Sequence, residues 1–188
     1  MFKTFKIYKP FGYLSQFTKE HKDHQVLGDL YEFPKDVYPI GRLDKDSEGL
    51  LLLSNNKSLT YRILNPESSM HKTYYVQVEG ELTHHAVKQI ESGVKIKIRS
   101  GKYYETLPCQ ANLIEEPVLP PRNPPIRERK TIPTSWASIT IHEGKNRQVR
   151  KMLAAVGFPV LRLVRFSIGD IDIQGMKVGD VQAFTFTK

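Results

Sequence analysis

Cysteine is almost missing from the 188 residues: Cys109 stands alone, so no disulfide can form within the chain. That scarcity also removes the usual zinc patterns. The six histidines, His21, His24, His71, His84, His85 and His142, form no His-x-x-x-His pair that would replace them. Long apolar runs are lacking as well. The start, Met1-Phe2-Lys3-Thr4-Phe5-Lys6, has no apolar core of a signal peptide, and no segment reaches membrane-spanning length. These absences point to a cytoplasmic protein with no membrane partner and no metal. Internal repeats and low-complexity tracts are also absent. Acidic residues are the minority, 20 against 28 lysines and arginines, giving a net charge of +8. Such a balance in a small protein favours a polyanionic partner, nucleic acid first. Nine tyrosines and nine phenylalanines supply stacking surfaces for unpaired bases, although most must serve the core.

The length suits one well-buried domain over residues 1–188, with room for two lobes. Its densest stretch is Tyr38 to Gly49, which runs into Leu50-Leu51-Leu52-Leu53 and then Ser54-Asn55-Asn56. Four leucines closed by turn residues read as a short, fully buried strand. Ahead of that rigid mount lie Arg42, Asp44, Asp46 and Glu48 between Gly41 and Gly49, more charge than a connector needs. Three readings compete. A solvated acidic turn would keep the strand soluble. A calcium loop fails because Asn55 stands where a bidentate glutamate belongs and Glu48 where Asp or Asn belongs. The third makes one carboxylate a nucleophile or general base kept ionised by a guanidinium. Arg42 is one source of that guanidinium, but it could equally face a phosphate.

Elsewhere, Phe2–Tyr8 alternates as a half-exposed strand ended by Lys9-Pro10-Phe11-Gly12, and Val26–Phe33 reads as a short helix or turn. Asn56 caps a helix over Lys57–Leu64. In the strand His71–Glu79, Tyr74 shares a face with Val76 and Val78, as a core ring or as a pocket wall. Thr83 caps a helix over His84–Ser92 closed by Gly93, and strands follow at Val94–Ile98 and Thr106–Ile114. Residues 117–133 hold six of the twelve prolines with Arg122, Arg127, Arg129 and Lys130, either a stiff linker or a basic arm for a phosphate backbone. Ser138–His142 is a strand, Glu143-Gly144 a turn, and Lys145–Val156 a helix with Val149, Met152, Leu153 and Val156 inward. Arg147, Arg150 and Lys151 then crowd its N-terminus, where cations oppose the helix dipole, so phosphate or a carboxylate should compensate unless the face is merely solvated. Val160–Ile168 gives a last core strand and Val181–Thr187 an edge strand.

Gly41-Arg42-Leu43-Asp44, Glu48-Gly49-Leu50-Leu51-Leu52-Leu53, Lys72-Thr73-Tyr74, and Glu143-Gly144-Lys145-Asn146-Arg147-Gln148-Val149-Arg150-Lys151-Met152 resemble, in order, the motifs of the bacterial ribosomal pseudouridine synthases. Pro121–Lys130 followed by Ile132-Pro133-Thr134-Ser135-Trp136 resembles the large-subunit members in particular. The resemblance implies an α+β fold on a mixed, largely antiparallel sheet flanked by helices, with an active cleft across it. It implies isomerisation of a uridine of 23S ribosomal RNA, 2457 in the reference bacterial numbering, without cofactor or metal, by a monomer. Asp44 takes the part of nucleophile, attacking C1′ or C6. Arg150 pairs with it, with Arg147 as the substitute. Tyr74 stacks on the extruded base and assists proton transfer, and Arg42 holds a phosphate or fills the space the nucleotide leaves. Lys72, Arg147, Gln148, Arg122, Arg127, Arg129 and Lys130 are the expected RNA contacts. Many relatives carry an S4-type RNA-binding domain ahead of this region. Specificity here is expected to reside in the catalytic domain, its basic loop or the folded RNA. A non-catalytic rRNA-binding assembly factor would share the charge and the aromatics, but gains nothing from an anion at its centre. A phosphodiesterase using Asp44, Asp46 and Glu48 on a metal would lose activity to chelator.

Overall fold

The computed structural model describes residues 2–68, 70–98, 101–127, 129 and 131–186. The chain divides into two compact units, Met1–Met70 with Val164–Lys188, and His71–Leu163. Its longer elements are β1 (Thr4–Lys9), β2 (Glu48–Ser54), α1 (Lys57–Leu64), β3 (Lys72–Glu79), α2 (His84–Ser92), β4 (Lys95–Lys97), β5 (Tyr103–Glu105), β6 (Gln110–Ile114), β7 (Thr134–Ile141), α3 (Gln148–Ala155), β8 (Val160–Ile168) and β9 (Val181–Ala183). The class is α+β, with strand pairing mixed and largely antiparallel.

In the first unit β1 lies between β9 and β2, antiparallel to both, with Ile7 opposite Val181 and Leu51 and with Lys9 opposite Gly49. The other edge of β2 takes the C-terminal half of β8 in parallel, Val164 against Glu48 and Arg165 against Gly49. Every residue of β2 is buried. Leu51 and Leu53 join Phe5, Ile7, Leu27, Val37 and Leu43 in one apolar cluster. That burial on both faces is why the segment reads as four successive leucines rather than an alternation. Gly49 has φ +100°, and a Cβ there would lie 2.3 Å from the Arg165 carbonyl oxygen, so only glycine lets β8 approach.

In the second unit β3, β7 and β6 form an antiparallel run, with Tyr74 opposite Ile139 and Ile139 opposite Ala111. Tyr74, Val76 and Val78 face a core completed by Ile90, Ile139, Met152 and Leu153. Helix α2 begins where the Thr83 hydroxyl accepts from the Ala86 N–H (3.2 Å), and α1 where the Asn56 side-chain oxygen accepts from Ser58 and Leu59.

Several sequence expectations shift. The helix expected over Lys145–Val156 starts only at Gln148, because Arg147 adopts the left-handed conformation (φ 52°, ψ 35°), which no α-helix accommodates. The strand expected from Thr106 starts at Gln110. Thr106 is instead bound to Val94, just past the end of α2, its N–H donating to Val94 O (3.0 Å) and its hydroxyl accepting from Val94 N (2.9 Å), and Pro108 has no N–H to give a ladder. The short helix or turn expected within Val26–Phe33 is present as one 3-10 turn, Leu27–Asp29, whereas the edge strand ends at Ala183, with Thr187 outside the described residues. Strand β5 escaped the sequence reading because Tyr103-Tyr104-Glu105 is too short to show a period. Among the described residues no helix is long and apolar enough to cross a membrane.

Candidate active site

Asp44 sits in the turn between Tyr38–Pro39 and β2, half-buried, and its position is over-determined by its neighbours. The Leu43 side chain is buried in the apolar cluster of the first unit. The Leu43 backbone, which has no strand partner, is satisfied by one buried hydroxyl: Ser15 Oγ donates to Leu43 O (2.9 Å) and accepts from Leu43 N (3.0 Å). Gly12 N donates to Lys45 O at 2.8 Å, and Ser47 N to Asp44 O at 3.1 Å. The chain on both sides of Asp44 is therefore clamped.

The sequence reading missed Lys9. It treated Lys9-Pro10 as a turn, yet Phe5, Ile7 and Lys9 lie two apart on one strand and so share a face. Lys9 is fully buried, and its amine donates to Pro10 O (2.8 Å) and Tyr13 O (2.7 Å). Desolvation pushes its pKa down to about 7, against the pull of the Glu48, Asp46 and Asp44 carboxylates and with a smaller push from Arg165. Glu48 is itself buried on β2, and Arg165, also buried, donates from Nε to Leu50 O at 2.8 Å. The acidic stretch thus lies beside the buried Lys9 amine of β1, with buried Arg165 of β8 also near that amine, inside its own unit. A solvated acidic turn does not describe it. Among the described residues, no group of three or more His, Cys, Asp or Glu side chains is placed to hold a metal ion.

In the second unit, Tyr74 is buried at 9% exposure, at the margin of the core. Lys72, at the start of the same strand, is half-buried, and His71 beside it packs on His142 with ring centroids 4.1 Å apart. The loop carrying Arg147 is organised by the buried carboxylate of Glu143. It accepts from Tyr104 OH (2.5 Å), Leu107 N (2.9 Å) and Gln148 Nε2 (2.5 Å). The Gln148 side-chain oxygen in turn accepts from Lys145 N at 2.9 Å. That carboxylate holds the Tyr104 hydroxyl protonated, its pKa pushed up to about 12. Gln148 is therefore a buried brace of the loop, whereas Arg147 is exposed and Arg150 half-buried on the first turn of α3. Burial pushes the Cys109 thiol up to about 11, so it is no nucleophile at neutral pH.

The proline-rich segment is stapled to its own unit. The Arg122 guanidinium donates to the carbonyls of Pro124 and Pro125, Arg162 donates to Pro120 O at 2.8 Å, and Arg129 pairs with Glu79 at 3.2 Å. Arg127 is exposed, and Lys130 lies outside the described residues. Arg42 is exposed beside the Asp44 turn.

The left-handed Arg147 allows a direct test. Arg147→Gly and Arg147→Ala remove the same side chain, but glycine accepts φ 52° without strain. Arg147→Gly should be the more stable of the two by about 1 kcal/mol in denaturant titration. Equal stabilities would mean that the loop relaxes out of this conformation.

The chain belongs to the RNA pseudouridylate synthase family, whose match over residues 3–155 takes in both the clamped turn at Asp44 and the loop at Arg147. Members of this family are isomerases. Among its relatives, the ribosomal large subunit pseudouridine synthase E of Vibrio vulnificus (strain CMCP6) is 46% identical over 172 residues, 92% of this chain and 70% of that protein. The synthase E of Xanthomonas axonopodis pv. citri (strain 306) is 45% identical over 163 residues, 86% of this chain and 83% of the relative. A solved crystal structure of a pseudouridylate synthase shares the fold, with TM-score 0.78 over 98% of this chain and 71% of that one at 24% identity.

Proposed function

We propose that the protein converts one uridine of 23S ribosomal RNA, uridine 2457 in the reference bacterial numbering, to pseudouridine, with Asp44 as nucleophile. The observation that carries this reading is the clamped turn: both backbone groups of Leu43 and the Lys45 carbonyl are fixed by Ser15 and Gly12, which holds the carboxylate between them. The reaction breaks the C1′–N1 bond, turns the ring and forms a C1′–C5 bond, while C5 loses a proton and N1 gains one. A carboxylate can attack and leave again, so it suits both halves. Nothing in the net chemistry calls for a metal or an electron carrier.

Tyr74 is assigned to the target base, against whose face its ring stacks, and to proton transfer through its hydroxyl. Arg150 is assigned to the Asp44 charge, and Arg42, Lys72, Arg147 and Arg127 to phosphates. Arg122, Arg129 and Gln148 support the loops that present these groups, given their internal partners. The protein is expected to act as a monomer in the cytoplasm. The test is incubation with unmodified 23S rRNA in EDTA, followed by carbodiimide treatment and primer extension. One new stop, resistant to chelator, is the expected result. No stop would overturn the activity, and a stop at another uridine would overturn the target.

A further inference from the structure

Helix α1 buries Leu59 and Ile63 and turns Lys57, Tyr61 and Leu64, spaced i, i+4, i+7, to the outside. Tyr61 is 70% exposed and Leu64 48%, a large apolar outlay for the surface of a short helix. The ring is oriented, since the Tyr61 hydroxyl accepts from Asn65 Nδ2 at 3.1 Å. The helix contains no acidic residue, and the next acid in the chain is Glu67. Its C-terminal end abuts the turn that carries Asp44: a Cβ on Gly41, which has φ +70°, would lie 3.1 Å from Leu64 Cδ2. Arg42, the next residue, is exposed. Arg62 takes no part in this stripe, its guanidinium lying 5.5 Å from the Phe186 ring centroid.

We propose that the Lys57–Tyr61–Leu64 stripe and Arg42 form a docking platform for an unpaired stretch of the RNA beside the target nucleotide. A base stacks on Tyr61 and Leu64, and the adjoining phosphates meet Arg42 and Lys57. Single-stranded RNA fits where a duplex does not, because only an unstacked base offers a face to an aromatic ring. A protein partner of apolar surface would meet two flanking cations with no anion between them. This platform rests on the RNA-modifying reading, and it extends the binding surface from the turn onto a helix outside the four motifs.

The test uses the full chain and an unmodified 23S rRNA transcript, with Kd from fluorescence anisotropy and KM from pseudouridine formation. Tyr61→Ala should raise both about tenfold, the scale of one lost base stack. Tyr61→Trp should restore them, and Tyr61→Phe, which removes only the bond to Asn65, should leave them near wild type. Arg42→Ala should weaken binding and reduce the salt dependence by about one phosphate contact. Unchanged Kd and KM in Tyr61→Ala would overturn the platform, as would failure of tryptophan to restore a loss. Were the wild type to make no pseudouridine while Tyr61→Ala still weakened RNA binding, the catalytic reading would fall and the platform would stand.

Discussion

Asp44→Asn should yield a folded protein that binds RNA and makes no detectable pseudouridine. The substitution keeps the shape of the side chain and removes its capacity to attack carbon and leave, so the rate should fall by about 10⁴-fold or more. Folding should change little. The clamps on this turn are made by Leu43, Lys45 and the Asp44 carbonyl, none of which the amide alters. Glu48 and Asp46 remain beside the Lys9 amine when the Asp44 charge is removed. RNA affinity should hold or rise, because an anion facing a polyanion is removed. Thermal melting, anisotropy and primer extension on the one variant separate these effects. Pseudouridine formed at near the wild-type rate would exclude Asp44 as nucleophile. A lowered melting point with lost RNA binding would instead make the carboxylate a structural group.

The turn also separates what a motif shows from what a fold shows. Arg42, Asp44, Asp46 and Glu48 are visible together in the sequence, but their surroundings divide them. Glu48 lies inside the strand at 1% exposure, while Arg42 is exposed. A carboxylate buried on a strand can balance charge but cannot meet a nucleotide. Only half-buried Asp44 and Asp46 remain candidates, and of these only Asp44 directly follows the residue whose backbone Ser15 holds on both sides.

Much of the fold was legible because periodicity and caps are local. The α1 span and its Asn56 cap, α2 with Thr83 and Gly93, and the inward row Tyr74, Val76 and Val78 follow from residue spacing alone. The start of α3 was not legible. Lys145-Asn146-Arg147 continues a helical pattern, and what stops it is Glu143, whose carboxylate draws in Gln148 from one side and Tyr104 with Leu107 from a hairpin some forty residues earlier. Tertiary partners of that kind leave no period. The internal partners of Arg122 and Arg129 were hidden likewise, since an arginine bonded to a carbonyl or a carboxylate and one facing solvent look the same in composition. Lys9 was legible in principle from its register with Phe5 and Ile7, but a lysine before proline suggests solvent.

Lys9 gives the largest expected effect on stability. Its amine titrates near 7 when folded and near 10.5 when unfolded. Below about pH 7 both states are protonated, and the native protein bears the full cost of a buried cation. Between pH 7 and 10.5 the unfolded chain binds a proton that the folded one has released, so stability rises with pH across this window and levels off above it. Over about three pH units the gain is on the order of 4 kcal/mol. Tyr104 and Cys109 act in the opposite sense: their raised native pKa values mean that stability is lost as pH climbs beyond their unfolded values. Both groups are unchanged in Lys9→Met and cancel when the variant is subtracted. The stability of the wild type minus that of Lys9→Met, from denaturant titrations at pH 6, 7, 8, 9 and 10, should therefore climb steadily from pH 7. A difference flat with pH would mean that Lys9 stays charged throughout. In that case the Pro10 and Tyr13 carbonyls, with Asp44, Asp46 and Glu48, fully offset its burial, and Lys9→Met should cost about 3 to 5 kcal/mol at every pH, as for a broken buried pair.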